Sequence, residues 1–164
     1  MSAPWPDVGP DDDRIVFTPT PYDDPVATAL VESLQALYAS RYGGGDTTPV
    51  HAAEFGPPYG LFLVGRLGGV PMCCGGWRLV PAEPGLAEMK RLYVLEGYRR
   101  RGLARVALAE LEATARAAGV RRFRLETGYM QPEAKRLYET SGYARIPNYG
   151  IYAEGTSTCF AKDL

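Results

Sequence analysis

The run Tyr98-Arg99-Arg100-Arg101-Gly102-Leu103-Ala104-Arg105 joins the end of an extended segment directly to a strongly patterned helix, and that junction constrains the fold more than any other stretch. Upstream, Met89 to Leu95 is short, apolar-rich and β-prone. Downstream, Leu103 to Ala118 is rich in Ala, Leu and Glu, with apolar residues at Leu103, Ala107, Leu111 and Ala115 along one helical face. A helix therefore starts at about Gly102. Its first N–H groups have no intrahelical partners, and the aligned peptide dipoles leave about half a positive charge there. Gly102 carries no side chain, Ala104 only a methyl, and Arg99, Arg100, Arg101 and Arg105 surround the point. Such a start suits a phosphate. Taken alone, the run also fits an ordinary helix start with a solvated basic turn.

Around this junction the chain reads as alternating strands and helices. Arg14 to Thr18 is a short strand, and Asp24-Pro25 cap and start a helix to about Ser40. Gly43-Gly44-Gly45 ends it, and Val50 to Phe55 reads as a second short helix stopped by Pro57-Pro58. Leu61 to Arg66 and Val70 to Leu79 form a hairpin through Leu67-Gly68-Gly69. Ala87 to Leu95 is the next strand. After the long helix, Gly119 is placed as its C-cap, Arg122 to Thr127 is a strand and Gln131 to Thr140 a helix. Tyr143 to Ile146 and Thr158 to Ala161 supply two last strands. This order predicts an α/β (α+β three-layer) fold, with a mixed, mostly antiparallel sheet of six to seven strands and helices on both faces. With 164 residues, 46% of them hydrophobic, one domain over residues 14–164 is expected. Met1 to Asp13, rich in Pro and Asp, reads as a flexible leader.

A net charge of -1 argues against a dedicated nucleic-acid binder. No apolar run approaches the roughly 18 residues that span a membrane, and Met1 to Asp13 lacks the pattern of a signal peptide, so a cytoplasmic location is expected. Cys73, Cys74 and Cys159 lack metal-ligand spacing and His51 is the only histidine, so no metal is expected.

Two separated motifs carry a resemblance. Arg99-Arg100-Arg101-Gly102-Leu103-Ala104 fits the pyrophosphate-binding pattern Q/R-x-x-G-x-G/A, and Ala134-Lys135-Arg136-Leu137-Tyr138 followed by Gly142-Tyr143 fits the later A-x-x-L-Y…G-F/Y motif. Over Glu88 to Tyr143 the chain thus resembles the GNAT superfamily of acyl-CoA-dependent N-acetyltransferases. The resemblance implies acetyl-CoA as acyl donor, bound through Leu92, Tyr93, Val94, the run Arg99 to Arg105 including Leu103, and Gln131, which stands where many relatives have Asn. It also implies a β-bulge in the strand before the arginines, which makes room for the pantetheine arm. Independently, alternation in Ala87 to Val94 slips after Lys90, as a bulge would cause; a strand end buried on both faces would read the same way.

Transfer to an amine needs a base, a polarised carbonyl and a proton for the thiolate. Glu88 stands 11 residues before Arg99, a spacing at which some GNAT enzymes carry a catalytic glutamate, and Glu54 is the second candidate. A solvated strand carboxylate paired with Lys90 or Arg78 is the alternative for Glu88. Tyr138, in the place of the family's L-Y tyrosine, is expected to protonate the leaving sulfur. Backbone N–H at Leu92 would polarise the carbonyl. Candidates for the acceptor pocket are Tyr42, His51, Glu54, Phe55, Tyr59, Trp77, Tyr149 and Tyr152, which cradle either a small amine or a homodimer interface. The expected activity is direct acetyl transfer to a primary amine in a ternary complex. Two alternatives are a silent acyl-CoA-binding regulatory module and a protein or peptide N-acetyltransferase.

Overall fold

A computed structural model describes residues 14–152 and 155–164, and the expected leader Met1 to Asp13 lies outside them. Seven strands, β1 (Ile15–Pro19), β2 (Gly60–Leu67), β3 (Val70–Leu79), β4 (Leu86–Val94), β5 (Arg122–Gly128), β6 (Ala144–Ile146) and β7 (Ser157–Asp163), form one sheet. The order is β1-β2-β3-β4-β5-β7-β6, and every neighbouring pair is antiparallel except β4 and β5, which run parallel. Among the described residues three α-helices accompany the sheet: α1 (Pro25–Tyr42), α2 (Leu103–Ala117) and α3 (Pro132–Thr140).

Local chemistry sets the boundaries. Asp24 caps α1, its carboxylate accepting from Val26 N at 2.8 Å, and Pro25 takes the first helical position, where a missing N–H costs nothing. The helix runs to Tyr42, slightly past the expected end. The helix expected from Val50 is only a 3-10 turn, Ala52–Phe55, because its four residues fold back so that His51 N donates to Glu54 Oε2 at 2.9 Å. The β2–β3 hairpin closes through Gly68 and Gly69 at φ 54° and 79°, a left-handed pair that L side chains resist.

The two faces of the sheet bury different things. On one, Leu108, Leu111 and Ala115 of α2 pack over Trp77, Met89, Phe123 and Phe160, with Tyr138 of α3 beside them. On the other, Ala27, Leu30 and Leu34 of α1 pack over Phe62, Val64, Cys74 and Tyr93. Even-numbered positions of β3 and β4, including Arg78 and Glu88, therefore face α1 up to the middle of β4. There the alternation breaks. Cys74 pairs with Tyr93 but Gly76 with Lys90, so β4 holds one extra residue, and Arg91 adopts φ 63°. The bulge expected from the slip in pattern is present, and Lys90 and Arg91 end up on the same side although they are consecutive. Beside it, pairing between β4 and β5 covers only Leu86–Arg122 to Glu88–Arg124, after which the strands part. Two cavities open beside that gap.

Candidate functional site

The first cavity, about 560 Å³, lies between the splayed end of β4, the start of α2 and one side of α3. Leu92, Tyr93, Val94 and Gln131 line one part of it, and Arg99, Arg100, Gly102, Leu103, Ala104 and Arg105 another. Arg100 (φ 63°) and Gly102 (φ 75°) both adopt left-handed backbone in the loop that leads into α2. A Cβ built on Gly102 would meet nothing within 4 Å, so the space before the helix is open. The arginines divide their work. Arg99 Nε donates to Val94 O at 3.0 Å, with its guanidinium 5.4 Å from the Tyr93 ring centroid. Arg105 is tied to α3 through Thr140 Oγ1 at 2.7 Å and Ser141 Oγ at 3.0 Å. Arg101 does not line the cavity and lies 5.6 Å from the Tyr98 ring centroid.

Tyr138 forms part of the same wall and is 6% exposed. Burial and the nearby Tyr38 push its hydroxyl well above its ordinary value, so the proton stays on oxygen at neutral pH. Leu34 and Leu37 of α1 and Ala134 of α3 supply apolar wall between the two ends.

A second cavity of about 330 Å³ lies on the α1 face and shares Gln131 with the first. Tyr38, Tyr42, Tyr129 and Tyr152 form its aromatic sides, and its charged groups are Asp46, Lys90 and Glu126. Burial and the charge of Asp46 push the Tyr38 hydroxyl up to about 12. Asp46 is the hub. It pairs with Arg91, accepts from Tyr152 Oη at 2.7 Å and Thr48 N at 2.9 Å, and has Lys90 Nζ at 3.6 Å. Burial alone would raise its pKa, but Lys90 and Arg91, with those hydrogen bonds, hold the carboxyl well below its ordinary 3.8.

Of the residues expected in the acceptor pocket, the structure brings Tyr42 and Tyr152 to this cavity and places the others elsewhere. Trp77 faces α2 and donates from Nε1 to Thr114 Oγ1 at 3.0 Å, because odd positions of β3 point to that side. Phe55 is 1% exposed and stacks on Tyr22, with ring centroids 4.8 Å apart. His51 and Tyr59 lie at the surface. Glu54 pairs with Arg78 at 2.8 Å. Tyr149 lies under the Arg124 guanidinium, 3.9 Å from its ring centroid, with its hydroxyl buried.

Glu88 is likewise off the wall of either cavity. Its carboxylate receives Arg78 at 3.0 Å, and Arg124 and Lys90 stand at 3.6 and 3.7 Å. Three cations thus surround this one buried carboxylate. Besides Asp46, the carboxylate on the cavity wall is Glu126 of β5. Its Oε2 accepts from Ser157 Oγ at 3.0 Å and from Cys159 Sγ at 3.6 Å, and no described residue forms an ion pair with it. All three cysteines are free and buried, and burial pushes Cys73 up to about 12 and Cys159 up to about 11, as inert core thiols. Among the described residues no three potential metal ligands come together, and no helix is long and apolar enough to cross a membrane.

Comparison with known proteins bears directly on this paired-cavity layout. The sequence model of the acetyltransferase (GNAT) family matches residues 27–143. The chain belongs to the GNAT family. As a GNAT protein it is an enzyme of the acyltransferase class. It is 30% identical over 143 residues, 87% of the chain and 92% of the relative, to an IAA acetyltransferase of Azospirillum brasilense. A solved structure from Klebsiella pneumoniae, assigned to the acyl-CoA N-acyltransferases, is 28% identical with a TM-score of 0.78, covering 92% of this chain and 97% of that one. A GNAT acetyltransferase of Elizabethkingia anophelis, solved with acetyl-CoA bound, shares the fold at 15% identity and a TM-score of 0.67 over 93% of this chain and 99% of that one.

Sequence reasoning missed Asp46, Lys90, Glu126 and Tyr38. One signal was available: in Arg122 to Thr127 the residues Arg122, Arg124 and Glu126 alternate with buried Phe123, Leu125 and Thr127, which sets Glu126 on the face opposite the α2 core. Nothing in the local pattern of this GNAT chain marks Asp46, which sits in a loop and gains its partners from distant elements.

Proposed function

We propose that this enzyme moves an acetyl group from acetyl-CoA to a primary amine, directly, with both substrates bound at once. The observation that carries the reading is the meeting of two cavities at Gln131, where β4 and β5 part: one basic and open at a helix start, the other small, aromatic and bearing a carboxylate. The names of the Azospirillum relative and of the acetyl-CoA-bound Elizabethkingia protein support acetyl as the group moved. An acceptor cavity of about 330 Å³ favours a small amine over a protein chain.

The first cavity fits CoA on its own chemistry. The loop and the N–H groups of Leu103 and Ala104 suit a pyrophosphate, with Arg99 and Arg100 supplying charge, while Leu34, Leu37 and Ala134 suit an apolar arm. When bound, acetyl-CoA supplies an activated thioester. The edge of β4 beyond Glu88 has lost its β5 partner, so backbone groups at Leu92 and Val94 are available to orient the arm and polarise the carbonyl. Glu126 takes a proton from the acceptor ammonium, directly or through a water, in place of the expected Glu88. Tyr138 gives its proton to the departing sulfur, and the phenol regains one from solvent.

Two substitutions probe these roles separately. Gly102→Val should weaken acetyl-CoA binding about 10- to 100-fold, the range expected for loss of one charge-assisted hydrogen bond. The β-branched side chain fills the open space and resists φ 75°, which costs about 1–2 kcal/mol for an L residue. Calorimetric titration checks it, and unchanged affinity would remove the pyrophosphate from this loop. Tyr138→Phe should lower kcat about 100-fold with acetyl-CoA affinity held within about twofold. A loss confined to affinity would reduce Tyr138 to a wall residue.

A further inference from the structure

Lys90 brings an ammonium to the wall of the acceptor cavity, in ion-pair range of two carboxylates but without a short hydrogen bond to either. Its side chain is 9% exposed and lines the acceptor cavity, yet its nearest carboxylates, Asp46 and Glu88, stand at 3.6 and 3.7 Å, and no described residue accepts a hydrogen bond from it. Those carboxylates are already served: Asp46 by Arg91, Tyr152 and Thr48, and Glu88 by Arg78. An ammonium carries three N–H donors, and those of Lys90 that reach the cavity are placed to meet a ligand's carboxylate.

The opposite wall offers the complementary group. Glu88 and Arg124 are the last paired positions of β4 and β5, so Lys90 and Glu126 stand two residues further along each strand, on the same face, where the strands have separated. The two do not pair with each other, and among the described residues nothing donates a hydrogen bond to Glu126 Oε1. A cation whose own carboxylates stand at 3.6 and 3.7 Å and an anion with no ion pair among the described residues thus face one small space. What satisfies both is a molecule carrying an ammonium and a carboxylate close together.

We infer that the acceptor is a zwitterionic amine of the α-amino acid type, its carboxylate held by Lys90 and its ammonium by Glu126, with the tyrosines enclosing the side chain. This rests on the acetyl-transfer reading above and names its acceptor class. No new chemistry is added: the nitrogen that Glu126 deprotonates forms the amide bond as the carbon–sulfur bond breaks, and the carboxylate remains unreacted at Lys90.

The test is release of CoA thiol from acetyl-CoA by the full chain with phenylalanine and tyrosine, each against its decarboxylated amine and its carboxamide. The carboxamide keeps size and shape while removing the charge, and its less basic nitrogen biases the comparison against the inference. For wild type, kcat/KM is expected to be at least about tenfold higher with the amino acid, the factor that one charge-assisted hydrogen bond supplies. In Lys90→Met that ratio should fall to within about threefold of unity. Equal or faster turnover of the carboxylate-free amines by wild type overturns the inference without any variant. Turnover of none of the panel, with acetyl-CoA binding intact by calorimetry, also overturns it and leaves the cofactor reading standing. Absence of acetyl-CoA binding overturns both.

Discussion

Glu126→Gln is expected to lower kcat by about 10²- to 10⁴-fold, the usual contribution of a positioned acid–base group, while acetyl-CoA affinity stays within about twofold. The amide keeps the shape of the carboxylate and an oxygen for Ser157 Oγ, 3.0 Å away, but cannot take a proton from an ammonium. The contrast with Glu88→Gln sharpens the result. Glu88 lies among Arg78, Lys90 and Arg124, so neutralising it leaves buried cations uncompensated and should appear mainly as a lower Tm. If Glu88→Gln abolished turnover in a protein of unaltered Tm while Glu126→Gln remained active, the base would be Glu88. Steady-state rates and thermal melts of the two variants decide between them.

Asp46→Asn is expected to cost about 3–5 kcal/mol of stability, the range for removing one partner of a buried ion pair. Arg91 is the reason. Its side chain is 3% exposed, its backbone adopts φ 63° at the bulge, and among the described residues its side chain has, besides Asp46, only a 3.4 Å contact from Nε to Tyr22 Oη. Asparagine would leave Arg91 and Lys90 buried with one anion fewer. At about 2–4 °C per kcal/mol for a domain of this size, Tm should fall by about 6–20 °C. The sign with pH follows from the lowered carboxyl pKa. Because the folded value lies below 3.8, the stabilisation by Asp46 is complete above that pH and is lost as pH falls toward the folded value. The gap between wild type and variant in urea melts should therefore be widest near neutrality and narrow in acid. A gap that widened in acid would contradict the pairing.

The elements whose rules are local were legible in the chain. Asp24-Pro25, Gly68-Gly69 and the apolar stripe of α2 each fix a boundary through neighbouring residues, and the slip after Lys90 located the bulge. The loop before α2 was legible for the same reason, since a helix start with glycine and arginines is a short-range signal. The cavity on the α1 face was not. Strict alternation would have put Lys90 and Arg91 on opposite faces, and only the extra residue in β4 brings both against Asp46. Trp77 was misplaced by one residue of parity, since Arg78, not Trp77, looks toward the cavity side. Glu88 had a suggestive spacing, but spacing along one strand does not report the three cations that β3, β4 and β5 bring to its carboxylate.

The most direct test of acetyl transfer between two adjoining cavities is the initial rate of CoA thiol release with acetyl-CoA and a primary amine varied together. Intersecting double-reciprocal lines, with the acetylated amine as product, are the expected result, because both substrates must be bound before the acetyl group moves. Parallel lines, or thiol release that does not depend on the amine, would contradict direct transfer and with it the assignment of the two cavities.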